Sequence, residues 1–268
     1  MIALIDGDIV AYRCAASCEP TKLKPQLESR EDAIGRLEGL MQDIIHDTDS
    51  SSYSVYLGGA NNFRKALDST YKATRTTPPP TYLADCKQYL VEHWNAEIAD
   101  NCEADDMLGI RQTDTYNYLQ MYGEDGYLSD GVYLPKIPET VICSIDKDLL
   151  QIPGYHYNFV KKEYTHVTET QGWVNFFTQM IMGDKSDNVM GYDGKARGNP
   201  PPQFLIPVLT DLQNMTEEEM FQTVWDMYQD KDKFVTNYKL LWIWRQVDDK
   251  WDFLQQQLSR VQQLESTQ

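Results

Sequence analysis

Met1-Ile2-Ala3-Leu4-Ile5-Asp6-Gly7-Asp8 opens the chain and sets how the rest is read. Ile2–Ile5 is a short apolar run that stops at Asp-Gly-Asp. That pattern predicts a buried strand whose C-terminal end delivers carboxylates. Thr140–Ile145 repeats the arrangement: it is β-branched and apolar, and it runs into Asp146-Lys147-Asp148. Tyr53–Leu57 is a third β-rich run, closed by Gly58-Gly59. Between these runs lie helical patterns at 9–17, 29–46, 81–94 and 104–122. The 29–46 stripe consists of Ile34, Leu37, Leu40, Met41, Ile44 and Ile45. Strands alternating with helices over residues 1–160 predict an α/β fold with a mainly parallel sheet flanked by helices. Such sheets carry their functional crevice at the carboxyl ends of the strands, where two of these strands end in Asp.

Beyond this frame, Gly123–Asp130 reads as a loop and 155–168 as a hairpin or two short strands. From Gly172 onward helical patterns dominate. Thr216-Glu217-Glu218-Glu219 fits a capping box, and Leu254, Leu258, Val261 and Leu264 form a late helical stripe. Phe176, Phe177 and Met180 read as a packed helix face, and Trp173, Trp242 and Trp244 as core.

The 268 residues are 41% hydrophobic and 12% aromatic, which excludes disorder as the main state. No run approaches the roughly 18 apolar residues of a membrane span. The N-terminus lacks the pattern of a signal peptide, so a soluble intracellular protein is expected. Five cysteines form no CxxC pair and four histidines no HExxH, so reduced, mostly buried thiols are expected and a structural zinc is not. The net charge of −17 argues against nonspecific nucleic-acid binding, unless the acids gather around bound cations and the bases cluster elsewhere.

The acids do gather. Asp6/Asp8, Glu103/Asp105/Asp106, Asp146/Asp148 and Asp184/Asp187 each sit at a strand end, a helix start or a Gly-flanked loop. Glu103 and Asp106 would share a helix face, and Asp146 and Asp148 would point the same way from an extended segment. Carboxylates held close together need a cation, and oxygen donors without His or Cys suit Mg²⁺ or Mn²⁺. Two such ions can hydrolyse a phosphodiester. Any one of these pairs also fits a plain helix-dipole role or surface charge. Residues 64–75 hold the opposite charge: Arg64, Lys65, Lys72 and Arg75 against the single acid Asp68.

At these residues the sequence resembles the flap endonuclease and 5′→3′ exonuclease superfamily. Its layout is most similar to the stand-alone 5′→3′ exonucleases of short-tailed bacteriophages. The matching motifs are Leu4-Ile5-Asp6-Gly7 with Arg13, then Arg64, Tyr71, Lys72 and Arg75 of the basic motif. Glu103-Ala104-Asp105-Asp106, Ser144-Ile145-Asp146-Lys147-Asp148-Leu149 and Gly183-Asp184-Lys185-Ser186-Asp187-Asn188 follow in family order. Two departures stand out. Leu57-Gly58-Gly59-Ala60-Asn61 lacks the acid that the family usually carries before the basic motif. Gly191–Gly198 is a degenerate form of the family's helix-hairpin-helix segment.

The resemblance implies a PIN-like nuclease core over 1–165, with a basic arch or clamp at about 61–100. It implies a C-terminal helical, helix-hairpin-helix-like DNA-binding region over 166–268. It implies two Mg²⁺ ions, with Mn²⁺ as a substitute, and a K⁺ site of the kind often found at the helix-hairpin-helix. Asp6, Glu103 and Asp105 would hold one metal and Asp146, Asp148 and Asp184 the other, with Asp106 and Asp187 in or behind the ligand set. Lys72, Arg75 and Asp146 would be catalytic. Arg13, Arg64, Lys65, Tyr71, Lys72, Arg75 and Lys195 would bind DNA, although Tyr71 fits a core position equally well and Arg13 an ion pair. The implied partner is DNA with a 5′ end, a 5′ flap or an RNA:DNA hybrid, with no membrane. The implied setting is the cytoplasm of an infected bacterium. The competing readings are a non-catalytic DNA-binding member of the same fold and a PIN-type ribonuclease.

Overall fold

A computed structural model describes residues 1–122, 127–129, 132–134 and 139–266. The chain divides into two units, residues 1–62 with 77–167 and residues 63–76 with 168–268.

The first unit is built on six strands in the order β3-β2-β1-β6-β7-β8, comprising β1 (Ile2–Asp6), β2 (Ser52–Leu57), β3 (Glu97–Ile98), β6 (Thr140–Cys143), β7 (Gly154–Asn158) and β8 (Glu163–Val167). Every pairing is parallel except the β7–β8 hairpin. β1 is central: its residues pair with 52–56 on one side and 140–143 on the other. Its apolar run alternates between two buried faces, as a central parallel strand requires. Ala3 and Ile5 join a core with α1 (Gly7–Ser17), α2 (Arg30–Asp47) and α4 (Leu83–Trp94). α5 (Ala104–Tyr122) packs on β1, β2, β6 and β7, where Gln112 accepts from the Thr140 hydroxyl (2.6 Å) and donates to the Tyr155 carbonyl (3.0 Å).

The parallel sheet, its helices and the hairpin appear as expected. Ser29 caps α2 through a capping box with Asp32, and the stripe buries Leu37, Met41 and Ile44. Ile34, Leu40 and Ile45 from the same stripe pack only partly buried at its edge. All five cysteines are buried. One expectation fails. Tyr127–Ser129, read as part of a loop, is strand β4, paired antiparallel with β5 (Val132–Leu134). Residues 123–126 and 130 of that reading lie outside the described residues.

The second unit is helical: α3 (Phe63–Leu67), α6 (Glu169–Met182), α7 (Ile206–Asp211), α8 (Glu217–Met227), α9 (Lys231–Leu241) and α10 (Asp252–Ser266). Thr168 and Thr216 open α6 and α8 with capping boxes, the second as expected. Its core is aromatic. Trp173, Phe176, Phe177, Phe221, Phe234, Tyr238 and Trp242 stack or meet edge to face, with Trp244 buried against Phe63. In α10, Leu254 is buried, and the Leu264 side chain lies outside the described residues. Of residues 61–100, 63–76 fall in this unit and the others, α4 included, in the first. Among the described residues no helix is long and apolar enough to cross a membrane.

Candidate active site

In the first unit the chain runs from β1 outward to β2 and β3, then crosses back to place β6 on the other side of β1. This order reverses between β1 and β6, so the crevice of an open parallel sheet falls at their carboxyl ends. Asp6 ends β1. Its Oδ1 accepts from the Ile9 amide (3.1 Å), which caps α1, and its Oδ2 accepts from the Ser144 hydroxyl (2.7 Å). Ser144 follows β6, and its Oγ also accepts from the Asp146 amide (3.0 Å). One hydroxyl therefore ties the ends of the two central strands together.

Gly7 allows this junction. A Cβ there would stand 2.7 Å from the Tyr56 carbonyl oxygen, so only glycine lets α1 begin against β2. β6 ends at Cys143, two residues short of the apolar run. Asp146 and Asp148 consequently do not extend from a strand. Asp146 caps a 3-10 turn over Lys147–Gln151 by accepting from the Asp148 amide (2.9 Å). Glu103 precedes α5 instead of lying within it. Asp106 reaches back to accept from the Glu103 amide (2.9 Å), and the Glu103 carboxylate accepts from Asn62 Nδ2 (2.8 Å). Asp105 and Asp106 occupy the first turn of α5, and Asp106 is fully buried.

Burial is the main force on Asp6. It raises the carboxyl from its ordinary 3.8 to about 7, against the lowering effect of its two hydrogen bonds, with Asp8 and Asp146 adding repulsion. A carboxylate ionised here favours a nearby cation. The donors at this strand-end face are carboxylates, a hydroxyl and an amide, the oxygen set that suits Mg²⁺ or Mn²⁺. Among the described residues no three His, Cys, Asp or Glu side chains stand together as a formed metal cluster. Asp8 is engaged otherwise: Oδ2 accepts from the Gly58 amide (2.9 Å), and Oδ1 pairs with Lys87 on α4 (2.6 Å). Nothing in the sequence marked Lys87 or Asn62. Ser144 belongs to the Ser144–Leu149 motif, but its sequence position does not reveal its bond to Asp6.

In the second unit Asp184 is buried after α6 and accepts from the Ser186 (2.6 Å) and Asp187 (3.0 Å) amides and from Gln179 Nε2 (3.2 Å). Gly183, at φ +71, makes the turn that leads into it. Asp187 is engaged by the basic segment: Tyr71 donates its hydroxyl (2.7 Å), Arg75 donates from Nη2 (2.8 Å), and Lys72 Nζ lies 3.6 Å away. Lys72 has φ +58, an unusual conformation for lysine, and its amide donates to the Asp187 carbonyl (2.9 Å).

Two expectations about DNA contacts are overturned. Arg64 is 2% exposed; its guanidinium donates to the Leu240 (2.8 Å) and Trp242 (2.7 Å) carbonyls at the end of α9 and lies over the Phe63 ring. It satisfies carbonyls that a helix end leaves without partners. The Tyr71 ring is buried and cannot offer a face to a base. Arg13, Lys65, Arg75 and Lys195 are exposed. Residues 191–198 form turns closed by Gly191 N to Lys195 O (3.0 Å) and a bidentate Arg197–Asp193 pair, with no helix.

The sheet order of the first unit and the helices of the second belong to a fold found among solved structures of bacteriophage proteins. The solved structures that share it include the bacteriophage T5 D15 protein co-crystallised with metal ions. A second is the T5 D15 flap endonuclease as a pseudo-enzyme–product complex with DNA and metal ions. Each is 15% identical, with a TM-score of 0.50, over 90% of this chain and 97% of the other. At that identity the likeness is one of fold. No family model matches the sequence.

Proposed function

We propose that this protein is a metal-dependent nuclease that hydrolyses DNA phosphodiester bonds from 5′ ends or at 5′ flaps. The observation that carries the reading is the Asp6–Ser144–Asp146 linkage at the β1/β6 switch point, in a fold shared with a flap endonuclease bound to DNA and metal ions. In the first unit Asp6, Glu103, Asp105, Asp106, Asp146 and Asp148 would hold Mg²⁺ or Mn²⁺; in the second unit Asp184 would be a metal ligand. Ions held there would supply the activation of a water and the charge compensation for the leaving 3′ oxygen.

The chain's own residues prepare that chemistry. Ser144 fixes the Asp6 carboxylate and the start of the Asp146 turn with one hydroxyl. Asn62 orients Glu103. Burial of Asp6 and Asp106 lowers the local dielectric, which strengthens their hold on a cation. Lys72 and Arg75 bind backbone phosphate, with Lys65, Arg13 and Lys195 as exposed contacts. Placing the bases in one short segment answers the objection raised by a net charge of −17.

A second reading, a DNA-binding protein without catalysis, draws on Gly59. A Cβ there would stand 2.1 Å from the Ala99 carbonyl oxygen, so the acid usual in the family's stretch before the basic motif has no room at that position. End-labelled substrates separate the readings: a 5′-flap DNA duplex, a 5′-recessed DNA duplex, and an RNA strand of the same sequence, each with Mg²⁺. The nuclease reading expects cleavage of at least one DNA substrate and intact RNA. Bound but uncut DNA in both Mg²⁺ and Mn²⁺ favours the second reading. Cut RNA beside intact DNA contradicts both.

A further inference from the structure

Asp8 lies in the first turn of α1, two residues beyond Asp6, and its carboxylate joins two other elements of the first unit. Oδ2 accepts from the Gly58 amide, just past the end of β2 (2.9 Å), and Oδ1 meets Lys87 Nζ on α4 (2.6 Å). Gly58 makes room for this contact. A Cβ there would stand 2.8 Å from Asp8 Oδ2, so a side chain would displace the carboxylate. Asp8 lies close enough to Asp6 to repel its charge. The Lys87 ammonium is thereby held at the carboxyl end of the parallel strands, where Asp6 ends β1.

A tie between helices does not account for this lysine. α1 and α4 already share an apolar core through Val10, Ala11, Cys14, Cys86 and Leu90. The Lys87 and Asp8 side chains are 35% and 36% exposed, and ion pairs this open add little to stability. An ammonium carries three donors, and the pair with Asp8 takes one of them. Lys147, beside Asp146 and Asp148, makes the contrast: it is 66% exposed and stands 4.0 Å from Asp148. Lys87 is anchored where Lys147 is not.

We propose that Lys87 is a substrate-contacting residue: its ammonium, held by Asp8, takes a non-bridging oxygen of the phosphodiester as DNA reaches the strand-end carboxylates. This deepens the nuclease reading and rests on it. Phosphate brings negative charge to a face that already gathers acids, and a lysine there offers the point charge that phosphate takes. Asp8 sets the ammonium in place beforehand, so the long side chain needs little further ordering when substrate arrives. As the ammonium turns to phosphate, Asp8 keeps the Gly58 amide as its donor.

The test compares wild type with Lys87→Met, which keeps the stem and removes the charge, and with Lys87→Arg, which keeps the charge. Binding of a 5′-flap DNA duplex in Ca²⁺ is followed against salt, and single-turnover cleavage is followed in Mg²⁺. Lys87→Met should lower the log–log salt slope by about 0.9, the value for one phosphate contact. It should slow single-turnover cleavage by about tenfold or more. Its melting temperature should stay within about 4 °C of wild type, and Lys87→Arg should restore the slope. An unchanged slope or an unchanged cleavage rate overturns the proposal. An unchanged slope with a lowered melting temperature returns Lys87 to a tie between helices.

Wild type alone supplies a second measure of the same contact. Reductive methylation of Lys87, followed by mass spectrometry, should slow severalfold when the flap duplex is bound in Ca²⁺, because phosphate covers the ammonium. An equal rate with and without bound DNA overturns the proposal even where Lys87→Met does not fold. Wild type that neither binds nor cleaves the duplex defeats the nuclease reading and this contact with it. Wild type that cleaves, beside a Lys87→Met that cleaves equally well, defeats the contact alone.

Discussion

The two units handle charge in opposite ways. In the first, carboxylates crowd the strand ends, and the donors to Asp6 and Asp146 are neutral: amides of Ile9 and Asp148 and the Ser144 hydroxyl. Burial raises the Asp6 carboxyl there, with Asp8 and Asp146 adding repulsion. In the second, charges are paired or covered. Asp187 is met by Lys72 and Arg75, Arg64 caps carbonyls, and Arg245 lies half-buried over the Trp173 and Trp242 rings. A strand end that gathers carboxylates around neutral donors is suited to a cation. A unit whose charges are already paired spends them on its own shape, with only its exposed bases left for a partner.

The largest test of that contrast is Arg64→Leu. Two buried carbonyls lose their donors, and the expected cost is roughly 2–5 kcal/mol of unfolding free energy by urea titration. A change under 0.5 kcal/mol would show that Arg64 is not structural and would return it to the DNA surface.

Next is the pH dependence of the first unit, where His156 is buried and kept neutral. Burial lowers it from 6.5 to about 4 while Nε2 donates to the Ile152 carbonyl (2.8 Å). The unfolded chain takes up this proton more readily, so its contribution is full above pH 6.5 and is lost as pH falls toward 4. The loss should be on the order of 3 kcal/mol and absent in His156→Gln, read as stability against pH. Equal acid sensitivity in both proteins would refute it.

Ser144→Ala should lower Mn²⁺ affinity by about 10–100-fold, the usual range for a residue that orients ligands, with little change in melting temperature. An unchanged affinity would detach Ser144 from the metal site. The smallest effect is expected of Lys65→Ala. It should leave stability within about 0.5 kcal/mol and reduce the salt slope of DNA binding by about one. An unchanged slope removes Lys65 from the DNA-binding surface.

The fold was largely legible because its signals are local. A four-residue apolar run ending in Asp-Gly predicts β1, the 29–46 stripe predicts α2, and Thr216 with Glu219 predicts the start of α8. β4 escaped because three residues in a Gly-rich stretch carry too little periodicity. At the site, residue types were legible and their partners were not. Arg64 and Arg75 share one motif, yet one faces a helix end and the other solvent, a difference set by packing against α9. Asp187 resembles the other acids in sequence, and only the folded chain shows Tyr71, Lys72 and Arg75 around it. Lys87 meets Asp8 across 79 residues, a pairing that spacing does not reveal.

The central claim is that the first unit's strand-end carboxylates drive metal-dependent cleavage of DNA. The most direct measurement follows a 5′-flap duplex with labelled ends in three reactions: wild type with Mg²⁺, wild type with EDTA, and Asp146→Ala with Mg²⁺. Asp146 is partly exposed at the start of a turn, so the variant is expected to fold. Products from the 5′ end in the first reaction alone are predicted. Cleavage that survives EDTA, or that Asp146→Ala carries out at the wild-type rate, would contradict the account.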